Sequence, residues 1–218
     1  MENSVQKYFR ERLARGEYIW DRVRDSSKHV NGRLLEIGCG ARFTYHAEES
    51  DACGLDITPE MIKVFKARFP MCNAVVGDAR KLPFRDKMFD VVILPMLLHH
   101  LVNATPKGCM KNMHAALQET RRVMRDKAVA YIRENIVYNK VLSFLLFYVT
   151  ALSARLHIRI DFLEIHSDVV TFFITERMLR GLCANFRLEK LSWKKWKFWF
   201  LGKWDVEFSM VKKEGEVS

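Results

Sequence analysis

The chain has 218 residues, of which 49% are apolar and 28% charged, and its 36 lysines and arginines against 26 acids leave a formal charge of +10. Such a composition excludes disorder, a collagen-like repeat and a coiled-coil rod, and the length suits one large domain, expected over 1–218, with a core that needs no metal or disulfide staple. Five cysteines without a CxxC pair argue against a thiolate zinc site or a disulfide framework and for a reducing, cytoplasmic setting.

The start MENSVQKYFRER is polar, so no secretory leader is expected, and residues 1–30, with mixed charges, are expected to form a helical cap. Residues 33–37 (RLLEI) then read as a buried strand that runs into the tight turn Gly38-Cys39-Gly40. A short helix is expected over 43–49 and a second strand over Ala52–Asp56. Thr58, Pro59 and Glu60 mark a helix start as N-cap, first helical residue and first-turn acid. Asn73–Val76 is a third strand, and 89–94 (FDVVIL), apolar on both faces, a central fourth. A helix over 115–124 and a fifth strand over 129–133 complete a β-α alternation that predicts a doubly wound α/β sheet.

The pattern then changes. Residues 139–155 predict a helix apolar nearly all round, inside an insertion over 136–174 that reads as an apolar lid. Its uncharged run 141–154 spans about 21 Å as a helix, too short to cross a hydrocarbon core of about 30 Å, although it can touch a membrane surface. Residues 175–184 predict a helix capped by Thr175, and 186–212 an antiparallel hairpin around Leu201-Gly202. In that hairpin Trp193, Trp196, Phe198, Trp199, Phe200 and Trp204 interleave with lysines. This pattern suits a membrane interface, single-stranded nucleic acid or an ordinary strand with snorkelling lysines.

Candidate chemistry gathers at the strand ends. Glycines after the first strand let a ligand approach the backbone closely. In a dinucleotide-binding GxGxxG the third glycine would stand where Phe43 does, so that reading fails. Asp56 closes the second strand, where a carboxylate accepts both hydroxyls of a ribose. Asp78 follows the third strand, where it can accept from an adenine amine while the Ala79 N–H donates to a ring nitrogen. Three adjacent strand tips thus carry groups suited to adenosine. The residue set offers no metal site.

LLEIGCG, GLDITPEM, GDARKLPFRDKMFDVVI, LLHHL and ALQETRRVMRDKAVAYI resemble the successive motifs of the class I S-adenosylmethionine-dependent methyltransferases, within them the small-molecule group that includes quinone-biosynthesis C-methyltransferases. The resemblance covers about residues 30–135. It implies a seven-stranded sheet with an antiparallel last strand, S-adenosylmethionine as cofactor and S-adenosylhomocysteine as product. It also implies that Glu36, Gly38 and Gly40 surround the methionine moiety, that Asp56 with Ile57 holds the ribose, that Asp78 and Ala79 hold the adenine, and that Leu94 and Pro95 line the cofactor near its methyl group. Where many members carry a third small residue this chain has Arg42, which can meet the methionine carboxylate.

His99 and His100 follow the fourth strand, where a histidine can act as general base, with His100 preferred, or can merely close the pocket. The acceptor is expected to be a small, largely apolar or lipid-like molecule held under the 139–155 helix, with Phe144 and Phe147 as its wall. Nucleic acid is the chief rival. However, Leu94-Pro95-Met96-Leu97 lacks the Asn/Asp-Pro-Pro-aromatic sequence that grips an exocyclic amine, and Cys109 lies too far on for base C5 chemistry. A protein acceptor and a non-enzymatic binding role on the same fold are the remaining alternatives.

Overall fold

The computed structural model describes residues 4–14, 32–43, 51–158, 169–195 and 204–212. In chain order the elements are α1 (Ser4–Ala14), β1 (Leu34–Ile37), β2 (Ala52–Asp56), α2 (Pro59–Arg68), β3 (Asn73–Val76), β4 (Phe89–Pro95), α3 (Pro106–Val123), β5 (Met124–Val137), α4 (Lys140–Leu156), β6 (Ile174–Thr175), α5 (Glu176–Leu182), β7 (Phe186–Lys195) and β8 (Trp204–Lys212). The strands form one sheet in the order β3-β2-β1-β4-β5-β8-β7, with the two-residue β6 paired to the far end of β5. Pairings are parallel from β3 across to β5, and only β8 runs against its neighbours β5 and β7. The expected seven strands are therefore present, and β6 adds a short eighth.

Burial explains the order. All of β1 is buried, as are Phe89 and the run 91–94 of β4, which suits central parallel strands covered by helices on both faces. On one face Ile62 and Phe65 of α2 pack against Leu34, Val91 and Ile93. On the other, Cys109, Met113 and Leu117 of α3 and Leu179 of α5 pack against Leu35, Val92, Leu94 and Ile132. Each fully buried phenylalanine here contributes roughly 1.5–3 kcal/mol. Because β1 to β4 are parallel, their carboxyl ends share one edge, which is where ligands bind in such sheets.

Several boundaries differ from expectation. Helix α3 begins at Pro106 rather than at Ala115, because Thr105 caps it: its Oγ1 accepts from the Gly108 N–H at 3.1 Å and Pro106 takes the first helical position. Strand β5 is much longer than 129–133. Its charged first turn is tied down by Arg125 on Asp90 (2.7 Å) and by Lys87 on Asp126 (3.0 Å). Thr58 holds the N-cap position of α2 with extended backbone, but its side chain makes no cap hydrogen bond. The expected helix over 43–49 lies, beyond Phe43, outside the described residues. So do most of the 1–30 cap after Ala14, the acidic and basic residues over 159–168, and the hairpin tip with Trp196, Phe198, Trp199 and Phe200.

Candidate functional site

Backbone hydrogen bonds tie the first three strand tips together. The N–H groups of Gly38 and Cys39 donate to the Leu55 carbonyl at 2.7 and 3.1 Å, and the Gly77 N–H donates to the Asp56 carbonyl at 2.9 Å. Gly38 has φ +79°, and a Cβ there would meet Leu97 Cδ1 at 3.0 Å, so the turn after β1 is pressed against the segment after β4. Gly40 has φ +57°, and a Cβ there would face open space. Both conformations favour glycine.

Asp56 stands where these tips meet. Its Oδ2 accepts from the Gly40 N–H at 2.9 Å and its Oδ1 from the Thr58 N–H at 2.8 Å. Each oxygen keeps a second lone pair. Desolvation in this crowded tip pushes the Asp56 carboxyl above its ordinary range, although both N–H donors pull the other way. Glu36, fully buried, lies between Gly54 of β2 and Ile93 of β4. Arg42 follows the glycine turn, and its Nη2 is buried with no hydrogen-bond partner among the described residues. Ile57 is half-buried, and its carbonyl accepts from Gln6 Nε2 at 2.8 Å, which docks α1 on this tip.

Asp78 differs from Asp56. Arg80 grips both of its oxygens at 2.6–3.1 Å, and the Arg80 N–H adds a bond of 2.9 Å to Oδ1. Desolvation pushes the Asp78 carboxyl up, but the Arg80 side chain and N–H outweigh it and bring the net shift down. Ala79 is buried beside it. Glu119 and Arg122 of α3 hold the following loop: Glu119 accepts from the Leu82 N–H at 2.7 Å, and Arg122 donates to the carbonyls of Leu82 and Phe84 at 3.0 and 2.8 Å.

At the fourth tip Leu94 is fully buried and Pro95 half-buried, and Met96 takes a left-handed φ of +54° while its N–H donates to the Arg133 carbonyl at 2.8 Å. A non-glycine residue in that region costs about 1–3 kcal/mol and is held by its surroundings. The two histidines then part company. His99 is buried; its Nδ1 bonds Glu134 Oε1, its N–H reaches Glu134 Oε2 at 3.3 Å, and its ring stacks on Phe173 at 5.4 Å. None of the described residues bonds its other ring nitrogen, Nε2. His100 is half-buried and meets Phe9 of α1 edge-on at 5.3 Å. Helix α1 thus spans from the second strand tip to the fourth.

Reading the sequence missed Glu134, although a carboxylate inside the strand YIRENIV is an available signal. It also missed Leu97, whose role depends on a contact between distant segments. Two residues beyond Glu134, the end of β5 opens into a cleft of about 1270 Å³ walled by Met110, Ile136, Val137, Phe144, Met178 and Val206. None of the residues expected to hold the cofactor lines it. Phe144 faces this cleft, whereas Phe147 is a core residue packed on Phe172 at 5.6 Å, so the two expected wall residues do different work.

Residues 35–132 match the family model described as a methyltransferase domain. This segment is a methyltransferase domain. The chain is 32% identical over 100 residues to a probable phthiotriol/phenolphthiotriol dimycocerosates methyltransferase of Mycobacterium ulcerans, a match over 43% of this chain and 35% of that one. The chain spans 34% to 42% of the length of the first three curated relatives it matches. Among solved structures, YcgJ from Bacillus subtilis shares the fold at TM-score 0.62 and 15% identity, over 88% of this chain and 97% of YcgJ. The DhpI–SAH complex does so at TM-score 0.61 and 14% identity, over 97% of each chain. At such identities the likeness establishes the fold, which is the doubly wound, Rossmann-like sheet expected from the sequence.

Proposed function

We propose that the chain transfers a methyl group from S-adenosylmethionine to a small, apolar acceptor. The observation that carries the cofactor half is Asp56, whose two oxygens are fixed by the Gly40 and Thr58 N–H groups while each keeps a lone pair. The residues fit the group. Gly40 leaves open space where a side chain would intrude, and the buried, unpartnered Arg42 Nη2 suits the methionine carboxylate. Asp56 accepts the ribose hydroxyls beside Ile57. Asp78 and the Ala79 N–H serve the adenine, and there Arg80 must share its partner. Glu36, Gly38, Leu94 and Pro95 complete the wall. The DhpI–SAH neighbour supports the same occupant.

Bound there, S-adenosylmethionine supplies a methyl group on an electrophilic sulfonium. The protein's tasks are alignment and exclusion of water. Leu97 and α1 close the site from above, and the cleft beyond β5 takes the apolar acceptor, with Phe144 on its wall and α4 as its cover. Of the two histidines His99 is the better oriented, because Glu134 fixes its ring and leaves Nε2 to accept, while neither lines the cleft. The names of the Mycobacterium relatives, which carry phthiotriol and phenolphthiotriol dimycocerosates, support an apolar, lipid-like acceptor.

The test is incubation of the chain with methyl-labelled S-adenosylmethionine and fractionated lysate. Label is expected in the lipid or apolar small-molecule fraction. Label in RNA or protein alone overturns the acceptor, and no transfer to any fraction overturns the enzymatic reading.

A further inference from the structure

Helix α4 is apolar on its outward face as well as on its inward one. Its buried face carries hydroxyls: the Ser143 Oγ donates to the Phe173 carbonyl at 2.5 Å, and the Thr150 Oγ1 donates to the Thr171 carbonyl at 3.1 Å, with Ser153 also buried. Leu146 and Phe147 are the buried apolar residues of that face, and Leu142 and Phe144 pack beside them at its edges. The outward face is a stripe of Val141, Leu145, Tyr148, Leu152 and Leu156, with steps of four, three, four and four residues, each at least 53% exposed. That spacing keeps all five on one side of a helix about 25 Å long. Among the described residues nothing covers the stripe. A contiguous exposed apolar strip on a soluble surface marks an interaction site.

Charge identifies the occupant. The sequence of α4, KVLSFLLFYVTALSARL, contains no acid, and its two charges, Lys140 and Arg155, are exposed. Beside its first turn the rim of the β5 cleft adds exposed Lys107 and Arg177. The single acid on that rim, Glu176, is already bonded to Arg180 at 2.7 Å and to Lys190 at 3.0 Å. An apolar stripe with cationic ends, on a chain of formal charge +10, complements an anionic, apolar-cored surface. No helix among the described residues is long and apolar enough to cross a membrane, so contact would be from one side.

We propose that α4 is an interfacial anchor that lies in the surface of an anionic lipid bilayer, with the mouth of the β5 cleft turned towards it. The inference does not rest on the methyl-transfer reading, since it uses only the outward face of α4 and the charges around it. It does explain how a lipid-like molecule could enter the cleft without crossing water.

The test is co-sedimentation of the full chain with vesicles of phosphatidylcholine and phosphatidylglycerol in equal parts, and with pure phosphatidylcholine. Binding is expected to the anionic vesicles and to weaken with added salt. The triple variant Leu145→Ser, Tyr148→Ser, Leu152→Ser is expected to lose about tenfold or more in partitioning, with only a small fall in melting temperature, because the three side chains are exposed and the losses are the Tyr148–Phe147 ring contact and some helix propensity. As a second measurement, Leu152→Cys is labelled with an environment-sensitive dye; the five native cysteines are buried, so the label goes to α4. Its emission is expected to shift to the blue on adding anionic vesicles. No partitioning of the wild type, equal partitioning of the triple variant, or an unshifted label each overturns the proposal. So does a wild-type dimer in lipid-free solution that the triple variant dissociates, since the stripe would then belong to a second copy of the chain.

Discussion

The two ends of this sheet edge are held by different physics. At β1 to β3 the site is made of backbone and fixed carboxylates: glycines in left-handed turns, N–H groups aimed at Leu55, Asp56 pinned from two sides and Asp78 held by Arg80. At β5 and α4 it is made of shape: apolar walls, a buried His99–Glu134 pair, and a helix apolar on both faces. Directional hydrogen bonds demand particular residues at particular positions. Apolar packing accepts many sequences, so the first end is closely specified while the second fixes little beyond its apolar character.

The sharpest way to separate the two ends is to truncate the two phenylalanines of α4 one at a time. Phe147→Ala removes a core ring against Phe172 and should cost about 3–5 kcal/mol in thermal or denaturant unfolding, with parallel loss of every function. Phe144→Ala, on the cleft wall, should lower acceptor turnover with a far smaller change in melting temperature and none in cofactor affinity. If the two variants behave alike, the distinction between core and wall fails.

A second contrast lies in acid. Desolvation holds the Asp56 carboxyl above its usual 3.8, whereas Asp78 and Glu119 are held low in the ion pairs they form with Arg80 and Arg122. As pH falls from neutral, the native state takes up the Asp56 proton before the unfolded chain does. Stability from this group is therefore gained rather than lost on acidification. The paired carboxylates stabilise the fold above their unfolded values and lose that contribution only as pH falls through their lower native ones. Affinity for S-adenosylmethionine should thus weaken before the fold does, as titration calorimetry and melting curves at matched pH would show. Asp56→Asn should abolish that pH dependence and lower the melting temperature, because its amide NH2 replaces one of the two oxygens that accept from the Gly40 and Thr58 N–H groups.

The smallest effect concerns Asp78. Its pair with Arg80 is partly solvated, so Arg80→Ala should change stability by less than about 1 kcal/mol. With the carboxylate released for the adenine amine, cofactor affinity should rise by a small factor in the same calorimetry.

Legibility in the sequence followed the same division. Ala52–Asp56 and Asn73–Val76 were readable to the residue, because short apolar runs there end abruptly at Asp56 and Gly77. Asp56 was legible as the acid that closes a short apolar run. Helix α3 was half hidden: Gly108 and Asn112 are weak helix formers, so its apolar periodicity is clear only later, and the Thr105-Pro106 start carried the missing signal. Strand β5 was shortened at its start by Arg125, Asp126 and Lys127 and at its end by Glu134 and Asn135, polar residues that look like strand ends until Glu134 is seen bonded to His99. The orientation of α4 could not be read, since a helix apolar nearly all round has no preferred side. Tertiary hydrogen bonds from Ser143 and Thr150 decide which face turns inward.

The central claim is that Asp56 at the second strand tip holds the cofactor's ribose. Titration calorimetry of S-adenosylmethionine and S-adenosylhomocysteine into the wild type and Asp56→Ala tests it most directly. The account predicts one site per chain for both ligands and a loss of roughly 10–150-fold in the variant, the equivalent of about 1.5–3 kcal/mol, with an unchanged circular dichroism spectrum. Equal affinity in the two proteins, or no binding to the folded wild type, would contradict it.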